Sequence, residues 1–310
     1  MQNRAKWMGV SFLVLSAAFG VGSVLHLQST GEPSRSPRGS TDAAEATRGR
    51  ILFKEGVAYR YDVRWTESTE VDLGLGQPPT RGALTLSGTL AVRGLRHDAE
   101  GFLLGVSFAS LAKHDLVVQG TAVLPTDEIA NKMLTGHEAV VALDPSGVVT
   151  GVFFQPASPS AFRDAMTALV GRMEVTTPLG SPTTWSGAAR TPAATVELSY
   201  ARGKNGLSIA RDHVAIKELR LVPSALAFDA QKSVRGQGTV TLKADGTLES
   251  VTDQEELGVT KADRAVATSK TSFELTLSGT SPFAREPLPR LAAMMRRAPG
   301  EAEASVDRER

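Results

Sequence analysis

Residues 57–66 read Val-Ala-Tyr-Arg-Tyr-Asp-Val-Arg-Trp-Thr. Odd positions are apolar or aromatic, and even ones are small, polar or charged. This period of two belongs to a strand with one dry and one wet face. The alternation returns at 84–93, 196–200, 239–243 and 272–278. It predicts an all-β domain over 51–281, built as one large antiparallel meander. Turn signals separate the runs at Asp98-Ala-Glu-Gly101, Asp144-Pro-Ser-Gly147, Lys204-Asn-Gly206 and Ala244-Asp-Gly246. In each, glycine supplies the backbone freedom of a tight hairpin. Strands joined mainly to their sequence neighbours either close into a barrel or curve into a half-barrel, because a long open sheet leaves unpaired edges.

One stretch breaks this rhythm. Phe162, Met166, Leu169, Val170 and Met173 recur at helical spacing. Ser158-Pro159 before them reads as an N-cap with proline in the first turn. Asp164 and Arg172 complement the two ends of the helix dipole. Pro178, Gly180 and Pro182 terminate the segment. A single amphipathic helix is therefore expected around which, or under which, the sheet wraps. Arg163 is expected off its apolar stripe.

The N-terminus has a different character. Arg4 and Lys6 precede an uncharged run at 7–25, whose 19 residues approach the roughly 20 that span a bilayer core. The flanking positive charges place the N-terminus in the cytoplasm and the remainder outside. A retained transmembrane anchor and a cleaved signal peptide are the two alternatives. Residues 29–50, rich in Ser, Thr, Pro and Gly, form no core and act as a tether. The domain order is then an anchor at 1–28, a linker at 29–50, the β domain at 51–281, and a short basic helix at 288–297 with a polar tail within 282–310.

Composition narrows the chemistry. There is no cysteine, which excludes disulfides, thiolate metal sites and a cysteine nucleophile. A net charge of +1 and 5% aromatic residues give no basic, base-stacking surface, so nucleic acid is not expected as a partner. His26, His97, His114, His137 and His213 share no metal-ligand spacing. His137-Glu138 is half of a zincin motif without its second half. Asp253, Glu255 and Glu256 read as a solvated strand edge. Leu73-Gly-Leu-Gly-Gln-Pro-Pro79 reads as a mobile loop rather than a phosphate loop. Hence no catalytic residue, metal or cofactor is assigned, and the chain is not expected to be an enzyme.

The remaining candidates are large side chains on the dry face. Tyr59, Tyr61 and Trp65 share parity with Val57 and Val63 and point inward. With Phe162, Met166 and Leu169 of the helix they form the candidate lining of a hydrophobic ligand site. Satisfied core tyrosines are the competing reading.

One family resemblance emerges from these elements. Gly56-Val-Ala-Tyr-Arg-Tyr61 opens the domain, and Leu84-Thr-Leu-Ser-Gly-Thr-Leu90 and Phe102-Leu-Leu-Gly-Val-Ser-Phe108 follow. Then come Leu143-Asp-Pro-Ser-Gly-Val-Val-Thr-Gly-Val-Phe153, the helix after Pro159, and Trp185 leading to Tyr200. This order resembles the N-terminal β-barrel of the vitellogenin-like large lipid transfer proteins. The resemblance implies a barrel wrapped about a central helix and a role in lipid binding or transport. The chain departs from the family in having no cysteine, and the long helical superhelix that follows the barrel is not seen in this sequence. A barrel without those lipid-enclosing parts would serve recognition rather than carriage. The expected partners are lipid or another hydrophobic small molecule, the inner membrane and envelope proteins. The expected location is the inner membrane with the β domain in the periplasm. A scaffold or interaction module of an envelope complex is the alternative function.

Overall fold

The computed structural model describes residues 50–301 apart from 73, 75–77, 123–126, 179–181, 223–226 and 285–286. The expected anchor at 1–28, the tether up to 49, the tail at 302–310 and most of the 73–79 loop lie outside the described residues. Among the described residues no helix is long and apolar enough to cross a membrane.

The alternating segments become long strands: β1 (Val57–Val71), β2 (Thr80–Asp98) and β3 (Gly101–Val118), then a two-residue β4 (Thr121–Ala122). After helix α1 (Asp127–Leu134) come β5 (Ala139–Leu143) and β6 (Val149–Phe154), and then helix α2 (Ser160–Met173). The second half runs β7 (Thr184–Arg190), β8 (Ala194–Arg202), β9 (Ser208–Leu219), β10 (Gln231–Leu242), β11 (Leu248–Lys261) and β12 (Arg264–Pro282). A 3-10 turn (Leu291–Ala293) and β13 (Met295–Arg297) stand where a basic helix was expected. Pro289 falls inside the expected helix, and a proline disfavours helical backbone at the residue before it, here Leu288.

All thirteen strands belong to one antiparallel sheet, ordered β13-β6-β5-β3-β2-β1-β12-β11-β10-β9-β8-β7, with β4 beside β3. First and last long strands meet at its centre, where Val63 pairs with both Gly88 of β2 and Leu275 of β12. The hairpins form where the turn residues predicted them; Gly206 and Gly246 have φ of 73° and 82°. The sheet does not close on itself. Of the two alternatives, the half-barrel is the one formed, with β13 and β7 as its edges.

Helix α2 lies between those edges and polar contacts complete the closure. Glu174, just past α2, accepts a hydrogen bond from Val149 N on β6 at 3.0 Å. Arg190 on β7 donates to Glu174 Oε1 at 2.5 Å and to Val149 O at 2.8 Å. At the end of β13, Arg297 reaches Asp164 of α2 at 2.6 Å, and beyond it Gly300 N donates to Thr167 O at 3.3 Å. Eleven of the fourteen residues of the helix are buried, so it is an enclosed stave of the core. It departs from expectation at its start. Arg163 is among the buried residues, its guanidinium donating to the carbonyl of Ser158, and Ser158 supplies no side-chain cap. Helix α1 is a second helix, which the strand-dominated pattern hid in only eight residues.

Candidate functional site

The six residues expected to line a ligand site all point inward and all are buried. Tyr59 and Tyr61 have found polar partners within the protein. Lys54 N donates to Tyr59 Oη at 2.7 Å, and Tyr61 Oη donates to Leu248 O at 3.0 Å. Burial pushes both phenols above their ordinary range. Phe162 packs edge-on against Phe154 at 6.0 Å, and Met166 and Leu169 are completely covered. Burying each such side chain contributes about 1.5–3 kcal/mol. The apolar void adjoining α2, between Phe53, Val92, Leu104, Val170, Met173 and Leu248, measures about 50 Å3.

Trp65 joins a different environment. Its ring lies 6.0 Å from the Arg172 guanidinium, the centre of a buried ionic cluster. Arg172 contacts Glu255 at 3.2 Å, Thr271 at 3.1 Å and Glu67 at 3.7 Å. Arg211 grips Asp253 through two bonds, at 3.0 and 2.9 Å. His213 lies 2.9 Å from Asp253 and 3.2 Å from Glu255. These side chains come from α2, β1, β9, β11 and β12. Strand β10 lies between β9 and β11, and its inward positions there are Gly236 and Gly238. A Cβ at Gly238 would stand 2.7 Å from both Arg211 Nε and Asp253 Oδ1; one at Gly236 would stand 2.9 Å from the His213 ring. The two glycines let Arg211 and His213 cross β10 to reach their carboxylates.

Electrostatics holds this cluster ionised. Burial alone would depress the His213 imidazole, but the hydrogen bond to Asp253 and the adjacent Glu255 carboxylate outweigh it and push it up to about 9. Burial works against the Asp253 carboxylate, yet His213 and Arg211 hold it below its ordinary value. Glu255 is likewise held down against burial by Arg172 and His213. Glu67 goes the other way, raised by burial that Arg172 only partly offsets.

The sequence reading of these residues needs correction. Asp253 and Glu255 are not a solvated edge; only Glu256 of that trio is exposed. His213 stands within β9 and is ion-paired to Asp253. His137 rests against Phe162 and Glu138 pairs with Arg93, so neither is a half-built metal motif. Among the described residues no group of His, Asp and Glu could hold a metal. The alternation carried a usable signal: Val251, Asp253, Glu255 and Leu257 share one parity, as do Ile209, Arg211 and His213.

The outer face carries the larger concavity, a trough of about 670 Å3 crossing β10, β11, β12, β1 and β2. Its floor is the backbone of one register row, Gly236, Glu255, Thr271, Glu67 and Leu84. One wall is the outward row Gln237, Gln254, Ser272, Thr66 and Thr85. The other is Arg235, Glu256, Lys270, Ser68 and Ala83, with Lys270 paired to Glu256 at 3.3 Å. A second trough of about 400 Å3 lies alongside and shares Ser68, Ala83 and Lys270.

No protein-family model and no curated protein matches this sequence. Among solved structures, lipovitellin, in a structure of its lipid–protein interactions, matches with a TM-score of 0.55 at 11% identity. The match covers 81% of this chain and 28% of the lipovitellin chain, so the chain spans little more than a quarter of that protein. At that identity the likeness is one of fold, and it agrees with the vitellogenin-like arrangement read from the strand order. DynF, from the dynemicin biosynthesis pathway of Micromonospora chersina, matches with a TM-score of 0.16 at 10% identity over 72% of this chain and 80% of DynF, which carries no argument.

Proposed function

We propose that this protein is a membrane-tethered, extracytoplasmic and non-enzymatic module that takes part in lipid handling by recognition, docking within an envelope assembly rather than enclosing lipid. The carrying observation is the filled interior. Pockets that bury a small ligand measure about 300–1,000 Å3, against about 50 Å3 beside α2. Tyr59 and Tyr61, the polar groups a ligand would address, are already bonded within the chain. Support for the tether comes from the apolar run at 7–25 and the charges before it. Support for the lipid connection comes from the fold likeness to lipovitellin, whose structure is described in terms of lipid–protein interactions.

That same likeness favours a second reading, in which the half-barrel itself binds lipid or another hydrophobic ligand against Tyr59, Tyr61, Trp65, Phe162, Met166 and Leu169. Native mass spectrometry of the full chain released from detergent separates the two. A lipid-free mass is expected. A stoichiometric lipid adduct that Leu169→Trp abolishes would sink the recognition reading and establish carriage. The topology is checked by a reporter fused after Arg310, which should be active only outside the cytoplasm.

A further inference from the structure

One buried titratable group stands outside the ionic cluster. His114 lies inward on β3, opposite Leu86 of β2, and is 4% exposed. Among the described residues neither of its ring nitrogens has a hydrogen-bond partner, and its own backbone comes near without reaching bonding geometry. A neutral imidazole has one donor and one acceptor to satisfy, so burying both unpaired is costly, and charging the ring in place is costlier still. Burial holds it below its ordinary value of 6.5, and its own backbone, Asp115 and Asp127 raise it only in part. Asp115, the next residue on β3, is already paired with Lys113 at 3.0 Å, and Asp127 is the first residue of α1. His114 is thus the opposite of His213, which two adjacent carboxylates keep charged.

The element beside it that can yield is α1. This helix has eight residues, packs against β3 and α2, and buries only Ala130 and Leu134 completely. A helix so short is marginal in water, so those contacts hold it in place. It also stands where β3 lacks a neighbouring strand. β5 pairs with β3 as far as Val106 and β4 begins at Val117. Between them, among the described residues, a single bridge joins Phe108 to Thr135, the residue after α1. We propose that His114 is an acid-sensing latch: when its ring takes up a proton it must reach water, α1 lifts from β3, and the edge of β3 at residues 109–116 is bared. The device is independent of any role in lipid handling. Its direction follows from the two forms. Above 6.5 the ring is neutral whether α1 is closed or lifted, and pH has no leverage. Below 6.5 the lifted form takes up a proton that the closed form resists, so lifting gains up to about tenfold per pH unit.

The test is hydrogen–deuterium exchange of the full chain in detergent at about pH 7.5 and about pH 5, with the intrinsic pH dependence of exchange divided out. The opening constant of amides within 127–135 and 109–116 should rise about tenfold at the lower pH. Amides of 59–65, at the centre of the sheet, should not follow. His114→Leu keeps much of the ring's volume and cannot titrate, so it should abolish the rise. His114→Gln should abolish it as well, and it decides the question if the melting midpoint shows that the leucine variant does not fold. His137→Gln alters the histidine nearest to α1 in sequence and should leave the rise intact. No rise in the unaltered protein overturns the proposal. So does a rise that survives in a folded His114 variant, one that is lost in His137→Gln, or one that residues 59–65 share equally, which would be unfolding of the whole domain.

Discussion

The half-barrel interior has two unlike regions built on the same alternation. Around Tyr59, Tyr61, Phe154 and Phe162 the inward positions are apolar, and α2 fills the space between them. Around Arg172, Arg211, His213, Asp253 and Glu255 the inward positions are charged, and two glycines make room for the long side chains. The apolar region stabilises residue by residue, since burial is non-directional and each side chain contributes on its own. The ionic region works only as a set. Desolvating its charges is costly, and the cost is offset only when every partner arrives in good geometry. Four strands and one helix must therefore be in register together, so the cluster specifies register as well as holding α2 to the second half of the sheet.

Removing one charge should hurt most. Asp253→Ala leaves Arg211 and His213 buried without their carboxylate, at an expected cost of about 3–5 kcal/mol. A urea midpoint no lower than that of the exposed control Glu274→Ala would show that the cluster is solvated. In the apolar region, Leu169→Ala should cost about 2–5 kcal/mol through lost burial and a residual cavity. If it were harmless, α2 would be a peripheral arm rather than part of the core. Gly238→Ala probes the space that the cluster borrows from β10. An expected loss of about 1–3 kcal/mol should shrink in an Arg211→Ala background, because the clash is partly with Arg211 itself. Equal losses in both backgrounds would assign the cost to the β10 backbone alone.

Titration should separate the two regions further. Asp253 and Glu255 lie below their ordinary values in the folded state, so their stabilisation is present above the carboxylate range and fades as pH falls through it. His213, raised from 6.5 to about 9, contributes fully below 6.5 and loses its contribution as pH rises through 9. Glu67, raised by burial, opposes the acid loss in part. Thermal midpoints should thus peak between the carboxylate range and pH 9, and His213→Phe should flatten the alkaline side. An unchanged alkaline limb in that variant would move its origin elsewhere. The smallest effect belongs to the outer face: Arg235→Gln should leave the midpoint where it is, and a clear loss there would mean the guanidinium supports the fold.

Much of this architecture was legible in the alternation. Strand positions, the hairpin glycines, the inward parity of Tyr59, Tyr61 and Trp65, and α2 itself each follow from spacing within about fifteen residues, the range over which a periodic pattern speaks. By itself the sequence thus determined which segments are strands and which face of each is dry. Only the tertiary structure decided that the sheet stays open with α2 as a stave, and that Arg172 meets Glu255 across 83 residues. It also decided that Arg211 and Asp253, 42 residues apart, share one buried bond, and that Ser68 and Ala83 sit beside Lys270 in a trough. Parity marks a residue as inward but does not name the residue opposite. That depends on register between strands distant in the chain, which is settled by the packing of the whole sheet at once.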